Sequence, residues 1–331
     1  MAILVTGGAG YIGSHMAHAL VDRGERVVVL DDLSTGHRHA VPAAATLVVG
    51  DVGDVALVQS VLKANQIREI VHFAARIVVV DSIAQPLDYY MNNTVRSRAL
   101  FEAAVTSGVE RLIFSSTAAV YGEGGTELIP ETADKLPITP YGRSKLATEW
   151  MLTDIAAAHG LSHAVLRYFN VAGADPAGRC GQSSRRATHL IKVAAEAVAG
   201  RRPHVELYGE DYDTPDGTCI RDYVHVADLV AAHLAALDGL RAGSTRLVYN
   251  CGYGRGFSVR EVLDVVRSVS GVHFPIVLRE RRPGDPARLI ADSSRIQAEL
   301  GWRPRFDDLE VIVRSALDWE EALARRQLQP A

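Results

Sequence analysis

The residues best suited to chemistry in this sequence lie between positions 115 and 145, where hydroxyl groups precede a tyrosine and a lysine. The apolar run 111–114 leads into Ser115-Ser116-Thr117, a pattern typical of a buried parallel strand. In open α/β sheets, ligands bind at the carboxyl end of such strands. Pro140 then begins a predicted helix to about residue 158, on which Tyr141 and Lys145 are four positions apart and share one face.

Tyr141 and Lys145 form a pair that can transfer protons. A free tyrosine has a pKa near ~10, and a cation within a few ångströms lowers that pKa by roughly 1–3 units. We therefore expect Tyr141 to act as a general base near neutral pH, with Lys145 as the adjacent cation. A chance pair on a solvated helix face has the same spacing, so the flanking motifs must decide between the two interpretations.

A glycine-rich turn near the start of the chain predicts a dinucleotide site. A strand at 2–6 runs into three glycines spaced three apart, and a helix to residue 23 follows directly. Glycines at such a turn let the backbone approach a pyrophosphate, and the first N–H groups of the helix bind its charge. The expected cofactor contacts in this turn are Gly7, Gly10, Tyr11 and Ile12.

The ends of the following strands complete the predicted cofactor site. The strand 26–30 ends in Asp31 and Asp32, where a carboxylate accepts the ribose hydroxyls and repels a 2′-phosphate, which favours NAD over NADP. A merely polar strand end is the alternative for these two residues. Later strands at 46–49, 69–75 and 111–115 place further residues at the same edge of the sheet. These are Asp51, Val52, Phe73, Ala74, Ala75 and Ser115.

Strands that alternate with helices predict the fold class. The spacing indicates a Rossmann-like, doubly wound parallel sheet, to which 163–169 adds a sixth strand. The segment 172–186 is rich in Gly, Pro and Ser and marks the departure into a smaller C-terminal α/β domain. We expect an NAD-binding domain at 1–170, which also takes in roughly 219–250, and a substrate-binding domain at 171–331.

Composition argues against several classes of partner. The chain has 331 residues, 48% of them hydrophobic, and its net charge of −4 gives no reason to expect nucleic acid. No apolar segment reaches the ~18 residues of a membrane span, and a strand that begins beside Met1 leaves no room for a signal peptide. Three widely spaced cysteines fit a reduced, cytoplasmic compartment and no metal site.

Taken together and in order, the motifs resemble the extended short-chain dehydrogenase/reductase family, and within it the nucleotide-sugar 4-epimerases. The resemblance covers nearly the whole chain. The motifs that carry it are Gly7-x-x-Gly10-x-x-Gly13, Asp31, 72–75, 89–93, 115–122, Tyr141-x-x-x-Lys145, 167–170, 216–226 and Arg282-x-Gly284-Asp285.

The resemblance implies NAD-dependent 4-epimerisation of a UDP-hexose. Tyr141 would take the proton of the sugar 4-hydroxyl while the hydride of carbon 4 passes to NAD and returns after the 4-keto sugar has rotated. Thr117 would hydrogen-bond the same oxygen, and Lys145 would hold the nicotinamide ribose and keep Tyr141 acidic. The resemblance further implies Asn92 and Tyr168 as cofactor contacts and a homodimer formed through the helices 86–107 and 140–158.

The resemblance also implies a UDP-sugar as the partner. Arg221 and Arg282 would hold its diphosphate, because guanidinium groups offer delocalised charge and several donors. Solvated surface positions are the alternative for these two arginines. The other expected substrate contacts are Asn170, His189, Leu190, Tyr208, Tyr223, Asp285 and Leu289.

Three alternatives to a UDP-hexose epimerase stay open. The first is an epimerase with its main activity on UDP-N-acetylhexosamine or on a UDP-pentose. Leu289 stands where relatives restricted to glucose and galactose often carry tyrosine, and this smaller wall leaves room for an N-acetylated sugar. A related dehydratase or decarboxylase would need an acid or base beside the active-site hydroxyl, and Ala118-Ala119 provide none. A non-catalytic NAD-binding regulator is the remote alternative, since it would not need Thr117, Tyr141 and Lys145 together.

Overall fold

The computed structural model describes residues 2–124, 127–184 and 187–328, so the last three residues of the predicted second domain lie outside the described residues. The predicted α/β fold class is confirmed. Within these ranges, no helix is both long enough and apolar enough to cross a bilayer.

Thirteen strands are described, seven of which form one large sheet. The strands are β1 (Ala2–Thr6), β2 (Arg26–Asp31), β3 (Thr46–Val49), β4 (Glu69–His72), β5 (Arg111–Thr117), β6 (Ser162–Tyr168), β7 (Asn170–Ala172), β8 (Val205–Tyr208), β9 (Ile220–His225), β10 (Arg246–Cys251), β11 (Gly256–Ser258), β12 (Ile276–Arg279) and β13 (Arg288–Leu289). The large sheet has the order β10-β6-β5-β4-β1-β2-β3, and all its pairings are parallel.

Helices cover both faces of the large sheet. The helices are α1 (Tyr11–Asp22), α2 (Val55–Ala64), α3 (Val79–Ala84), α4 (Pro86–Tyr89), α5 (Arg96–Thr106), α6 (Pro140–His159), α7 (Leu190–Val198), α8 (Val226–Arg241), α9 (Val259–Ser270), α10 (Ser294–Leu300) and α11 (Leu309–Leu328). Along β1, Ile3 and Val5 pack with α1 and α8, whereas Leu4 packs with α2 and α5 on the opposite face. This two-sided burial explains the uninterrupted apolar runs of the strands.

A second group of elements adjoins the carboxyl edge of the large sheet. β9 pairs with β7, β11 and β13, while β8 pairs with β12. A separate apolar core joins α7, α9 and α11. Within the range 219–250, α8 and β10 pack with the large sheet, whereas β9 belongs to the smaller one.

Helix α6 holds the tyrosine–lysine pair in place. Its N-cap, Thr139, accepts the Gly142 N–H at 3.2 Å, and Pro140 occupies the first turn. The helix ends where Gly160 adopts a left-handed conformation. The observed range agrees with the predicted helix, so Tyr141 and Lys145 project from consecutive turns toward the end of β5.

The predicted helix at 86–107 is helical from 86 to 106, but a π-helical turn at 90–95 separates α4 from α5. Within this turn the Asn93 carbonyl accepts the Ser97 hydroxyl at 2.6 Å and the Thr148 hydroxyl of α6 at 3.0 Å. The turn places the Asn93 side chain against the loop after β4.

Candidate active site

One cavity of about 1670 Å³ opens at the carboxyl edge of the large sheet. All the residues that the sequence predicts for the site line this cavity, although their individual roles stay predictions. They are Gly7, Gly10, Tyr11, Ile12, Asp31, Asp32, Asp51, Val52, Phe73, Ala74, Ala75, Asn92, Ser115, Thr117, Tyr141, Lys145, Tyr168, Asn170, His189, Leu190, Tyr208, Arg221, Tyr223, Arg282, Asp285 and Leu289.

The glycine turn has the shape that a dinucleotide requires. Gly7 has a φ of +67°, and a Cβ atom there would lie 2.7 Å from the Ala74 nitrogen. A Cβ at Gly13 would lie only 2.1 Å from the Gly7 carbonyl oxygen, so glycine is needed for α1 to approach β1. Gly10 is the N-cap of α1 and offers no side chain to the first N–H groups, which suits a pyrophosphate.

The acidic residues after β2 and β3 are held in place by backbone donors. Asp31 accepts the Ala9 N–H at 2.9 Å and the Leu33 N–H at 2.8 Å. Burial raises the pKa of this carboxyl group. Asp51 accepts the Gly53 N–H at 2.8 Å and pairs with Arg96 at 3.0 Å, a partner that the sequence did not reveal.

Thr117 and Tyr141 meet at the centre of the cavity wall. Both side chains line the cavity and are 9% exposed, and the Thr117 side chain lowers the pKa of Tyr141. The Thr117 hydroxyl also accepts the Ala119 N–H at 3.1 Å, which fixes its position at the end of β5. The Tyr89 ring packs edge-on against Tyr141 with the ring centroids 6.4 Å apart. The tyrosine is therefore held by contacts on two sides.

Lys145 lies one turn below Tyr141. Its Nζ donates to the Ser115 carbonyl at 2.7 Å and lies 4.8 Å from the centre of the Phe114 ring. Burial lowers the pKa of Lys145 to about 7, and the charge of Glu149 opposes this effect. Lys145 can thus exchange its proton near neutral pH.

We predicted that Lys145 lowers the pKa of Tyr141. In the protein without a ligand this prediction is wrong, because Lys145 is not among the groups that shift this pKa. Burial raises the pKa of Tyr141 to about 12, and only the Thr117 hydrogen bond opposes it. The physical reason is that removing the phenolate from water outweighs its local partners. Any further lowering of the Tyr141 pKa has to come from a charge that a bound ligand supplies.

Beside this centre, Tyr168 connects the sheet to α8. Its hydroxyl contacts His233 Nε2. Burial raises the Tyr168 pKa well above its ordinary value, so the phenol stays protonated. Phe73 packs against the same histidine, with the ring centroids 5.0 Å apart. His233 is an anchor that the sequence pattern did not single out.

The predicted diphosphate residues are paired with other protein groups. Arg221 forms an ion pair with Asp285 and donates to the Pro286 carbonyl at 2.6 Å. The Arg282 guanidinium carbon lies 3.6 Å from the centre of the Tyr208 ring. A cation at this distance over a ring face is attracted by the π-electrons. Both arginines therefore line the cavity rather than extend into solvent.

The other predicted substrate residues come from β7, β8, β9, β13, the start of α7 and the loop between β12 and β13. Asn170 on β7 is directly paired with Tyr223 on β9. His189 is the N-cap residue before Leu190, and its Nδ1 lies 2.7 Å from Gln182 Nε2. Burial raises the pKa of Tyr223 and lowers that of His189, so both side chains favour their neutral forms.

Two contacts below the cavity were missed at the level of sequence. Asn93 holds the loop after β4 by accepting the Arg76 N–H at 2.8 Å and donating to the Arg76 carbonyl at 3.0 Å. Glu149 forms a buried ion pair with Arg167 at 2.7 Å. The position of Glu149, four residues after Lys145, was a local signal for it, whereas the contact with Arg167 is long-range.

Comparisons with known proteins agree with this geometry. The model of the NAD dependent epimerase/dehydratase family matches residues 3–252. UDP-glucose 4-epimerase of Azospirillum brasilense is 56% identical over 321 residues, 97% of this chain and 92% of that protein. UDP-glucose 4-epimerase of Brucella ovis, solved in complex with NAD, is 42% identical and has a TM-score of 0.92, covering 96% of this chain and 97% of that one.

A third similar protein is the UDP-Glc/GlcNAc 4-epimerase of Campylobacter jejuni. It is 48% identical with a TM-score of 0.84, over 97% of this chain and 99% of that one. The family model covers well over half of the chain, and the relatives match nearly all of it. The chain therefore belongs to the NAD dependent epimerase/dehydratase family.

Proposed function

We propose that the chain catalyses the NAD-dependent 4-epimerisation of a UDP-hexose, interconverting UDP-galactose and UDP-glucose. One observation carries this function: Thr117, Tyr141 and Lys145 line the same cavity as a dinucleotide turn and Arg221. The relatives with this activity match the chain from end to end.

The residues present fit NAD as the cofactor. The Gly7–Gly13 turn would hold the pyrophosphate, Asp31 the adenosine ribose, and Lys145 the nicotinamide ribose. When bound, NAD supplies an acceptor for the hydride of sugar carbon 4 and a positively charged nicotinamide ring. Because the pKa of Lys145 is about 7, its amine can carry a proton at neutral pH and donate a hydrogen bond to a ribose hydroxyl.

Tyr141 acts as the general base on the 4-hydroxyl of the sugar. Its raised pKa keeps the phenol protonated until a positive charge is bound, which prevents the phenolate from forming early. Thr117 donates to or accepts from the same sugar oxygen as the proton moves. Since both side chains line the same cavity, one sugar oxygen can contact the two hydroxyls together.

The nucleotide stays bound while the oxidised sugar turns. Arg221 and Arg282 anchor the diphosphate through charge-assisted hydrogen bonds. Asn170, Tyr223 and the uracil-side residues His189, Leu190 and Tyr208 hold the rest of the nucleotide. The 4-keto sugar can then present its opposite face to the returning hydride, which inverts carbon 4 without net oxidation.

The cavity wall next to Thr117 favours epimerisation over elimination. Ala118 and Ala119 follow Thr117 directly and line the cavity with methyl groups. A dehydratase or decarboxylase needs an acid or base at this place to remove water or a carboxyl group. These alanines cannot transfer a proton, so the 4-keto sugar is reduced again.

The test is to incubate the purified protein with UDP-galactose and to follow the appearance of UDP-glucose by chromatography. UDP-galactose and UDP-glucose, each used as the starting sugar, should reach the same equilibrium mixture, with no net reduction of added NAD. Accumulation of a dehydrated 4-keto sugar, or no turnover with any UDP-sugar, would contradict the proposal.

A second substrate class is favoured by Leu289. This side chain is 8% exposed, lines the cavity, and packs near Gly124 in a small apolar cluster. A leucine leaves more room for an N-acetyl group than a tyrosine would. We propose that the enzyme also converts UDP-N-acetylglucosamine, the substrate class in the name of the Campylobacter relative.

Leu289→Tyr is the discriminating variant for this second activity. It should lower turnover of UDP-N-acetylglucosamine at least about tenfold while turnover of UDP-galactose changes little, because only the larger sugar meets the new ring. UDP-xylose serves as the pentose comparison. No turnover of UDP-N-acetylglucosamine by the parent protein would refute dual specificity.

We further propose that the chain forms a homodimer through a defined apolar stripe. Leu87, Met91 and Val95 recur every four residues and are 81%, 53% and 48% exposed, and Trp150 on α6 is 62% exposed. Large exposed apolar groups on adjacent helices are typical of an interface. Leu87→Asp should convert the dimer to a monomer in light scattering, whereas Leu278→Asp on β12 should not.

The cytoplasm is the compartment we infer for this enzyme. Cys180, Cys219 and Cys251 are all buried, and none of them is part of a disulfide within the described residues. Cysteines outside disulfides are the rule where glutathione keeps proteins reduced. Fractionation of cells that produce the protein would test the location directly.

A further inference from the structure

A buried carboxylate continues the catalytic face of α6. Tyr141, Lys145 and Glu149 follow one another at intervals of four residues, so they project from successive turns on the same side. Glu149 is 5% exposed and lies between α6 and the ends of β5 and β6. A glutamate is rarely buried to this degree unless it is paired.

Glu149 is bound by groups from two strands. The Ser116 hydroxyl on β5 donates to its Oε1. Arg167 on β6 makes a bidentate contact, with Nε to Oε1 at 3.1 Å and a terminal nitrogen to Oε2 at 2.7 Å. Arg167 in turn donates to the Tyr121 hydroxyl at 2.8 Å. The carboxylate thus connects the catalytic helix to both strands beneath it.

Few charged groups face Lys145 from the surrounding elements. His72 on β4 is nearby, but burial lowers its pKa to about 3, so it is neutral. Tyr141 on the same helix and Tyr168 on β6 have raised pKa values and are neutral as well. The Ser115 carbonyl and the Phe114 ring contribute only partial charges. Glu149 is the acidic group that acts on Lys145.

We propose that Glu149 is a positioning residue of the reaction, which supplies the counter-charge that keeps Lys145 protonated and fixes α6 against β5 and β6. This role rests on the proposed epimerase function, because Lys145 matters there as a cation. Arg167 is its necessary partner, since it holds the carboxylate in one geometry by two parallel hydrogen bonds.

A purely structural ion pair is the competing interpretation. Buried pairs often add little stability, and breaking one leaves a buried charge without a partner. Loss of stability in a variant would therefore not distinguish the two roles. The proton affinity of Lys145 does distinguish them, because only the electrostatic role changes it.

The sequence allows this affinity to be measured without catalysis. The chain has only four lysines, Lys63, Lys135, Lys145 and Lys192, so ¹³C-labelled lysine side chains give few NMR signals. Lys145→Met identifies the Lys145 signal by its disappearance. In Glu149→Gln the titration midpoint of Lys145 should fall by about one pH unit or more, because a positive charge on Arg167 remains without its carboxylate.

The rate of epimerisation should follow the same shift. If Lys145 acts as a cation, the alkaline limb of the rate profile of Glu149→Gln moves to lower pH by a similar amount. Glu149→Asp keeps the charge and should restore most of the limb. An NMR shift without any change in the rate profile would count against the role in the reaction while leaving the proposed activity intact.

Glu131→Gln is the matched control. Glu131 is another buried carboxylate of the same region, and it accepts the Asn250 N–H at 2.9 Å. Its amide variant should lower stability without moving the Lys145 midpoint. If Glu149→Gln fails to fold, the double variant Glu149→Gln/Arg167→Gln removes both charges of the ion pair. It should still lower the titration midpoint of Lys145, but by less than is expected for Glu149→Gln alone. A midpoint within about 0.2 units of the parent in the folded variant overturns the proposal.

Discussion

Two parts of the cavity hold their polar side chains differently. One is the catalytic wall, formed by Thr117, Tyr141 and Lys145, and the other is the loop between β12 and β13. In the wall, Thr117, Tyr141 and Lys145 are buried, and each has one or two fixed partners. In the loop, Arg282 and Asp285 are more exposed and are engaged with Tyr208 and Arg221. Geometry in the wall is set by packing, whereas geometry in the loop is set by exchangeable contacts.

This difference shows which part of the site is prepared before substrate binds. The two hydroxyls of the wall belong to buried side chains, and the Ala119 N–H holds that of Thr117 in place. A diphosphate, in contrast, competes with Asp285 for Arg221, because both are anions that seek the same donors. Substitutions in the wall should therefore change the chemical step, and substitutions in the loop should change binding.

The largest effect is expected in the wall, for Tyr141→Phe. Removing the hydroxyl eliminates the general base without creating a cavity, so kcat should fall about 10³-fold while the melting temperature stays close to that of the parent. Conversion of UDP-galactose measures the effect. Tyr249→Phe is the control, since it removes a tyrosine hydroxyl that contacts Glu299 away from the cavity. A loss of less than tenfold for Tyr141→Phe would contradict its assigned role.

The wall was also the part that the sequence predicted best. The pair Tyr141 and Lys145 depends on helix spacing alone, and the glycine turn depends on a local strand-to-helix pattern. Both are properties of short segments. The rise in the Tyr141 pKa, which is opposite to the predicted lowering, could not be predicted, since it depends on how completely the folded protein buries the phenol.

Contacts between distant segments explain the remaining differences. In the π-helical turn at 90–95, the Asn93 carbonyl accepts the hydroxyl of Thr148, which belongs to another helix. The resemblance likewise implied Arg221 and Asp285 as separate substrate contacts. It contained no signal that they pair with each other across 64 residues. Local patterns fix elements, whereas tertiary contacts fix the partners of charged side chains.

The second prediction compares two glycines of the cofactor turn, Gly13, which is needed for packing, and Gly10, which would contact the cofactor. Gly13→Ala places a Cβ atom 2.1 Å from the Gly7 carbonyl oxygen, so it should cost about 2–3 kcal/mol of stability through overpacking. Gly10→Ala meets the same oxygen at 3.2 Å and should weaken NAD binding more than folding. Urea unfolding and titration with NAD measure the two quantities. Equal stability of both variants would show that the turn is not rigid.

A smaller effect is expected in the loop, where two neighbouring arginines form a matched pair. Arg281 lies 4.2 Å from the centre of the Tyr212 ring and Arg282 lies 3.6 Å from that of Tyr208, but only Arg282 lines the cavity. Arg282→Gln should raise KM for UDP-galactose about tenfold with little change in kcat, as loss of one charge-assisted contact predicts. Arg281→Gln should leave both constants unchanged. A fall in kcat alone for Arg282→Gln would contradict the division between wall and loop.

A last effect concerns the contribution of Lys145 to the dependence of stability on pH. Burial lowers the pKa of Lys145 to about 7, whereas an unfolded lysine titrates near ~10.4. Between these values the unfolded chain binds one proton more than the folded protein, so this residue makes the free energy of unfolding rise with pH. Its contribution is at most about 1.4 kcal/mol per pH unit.

Lys145→Met removes that contribution and should make the free energy of unfolding less dependent on pH. The variant should therefore exceed the parent in stability most near pH 7, and this difference should decrease toward pH 10. The reason is that the unfolded lysine of the parent loses its own proton as the pH rises, so burying the lysine costs less. Urea unfolding at pH 7.5, 8.5 and 9.5 gives the slopes. Lys63→Met, at an exposed position on α2, should keep the slope of the parent. Parallel curves for the parent and Lys145→Met would mean that water reaches the lysine and that the wall is less closed than its packing indicates.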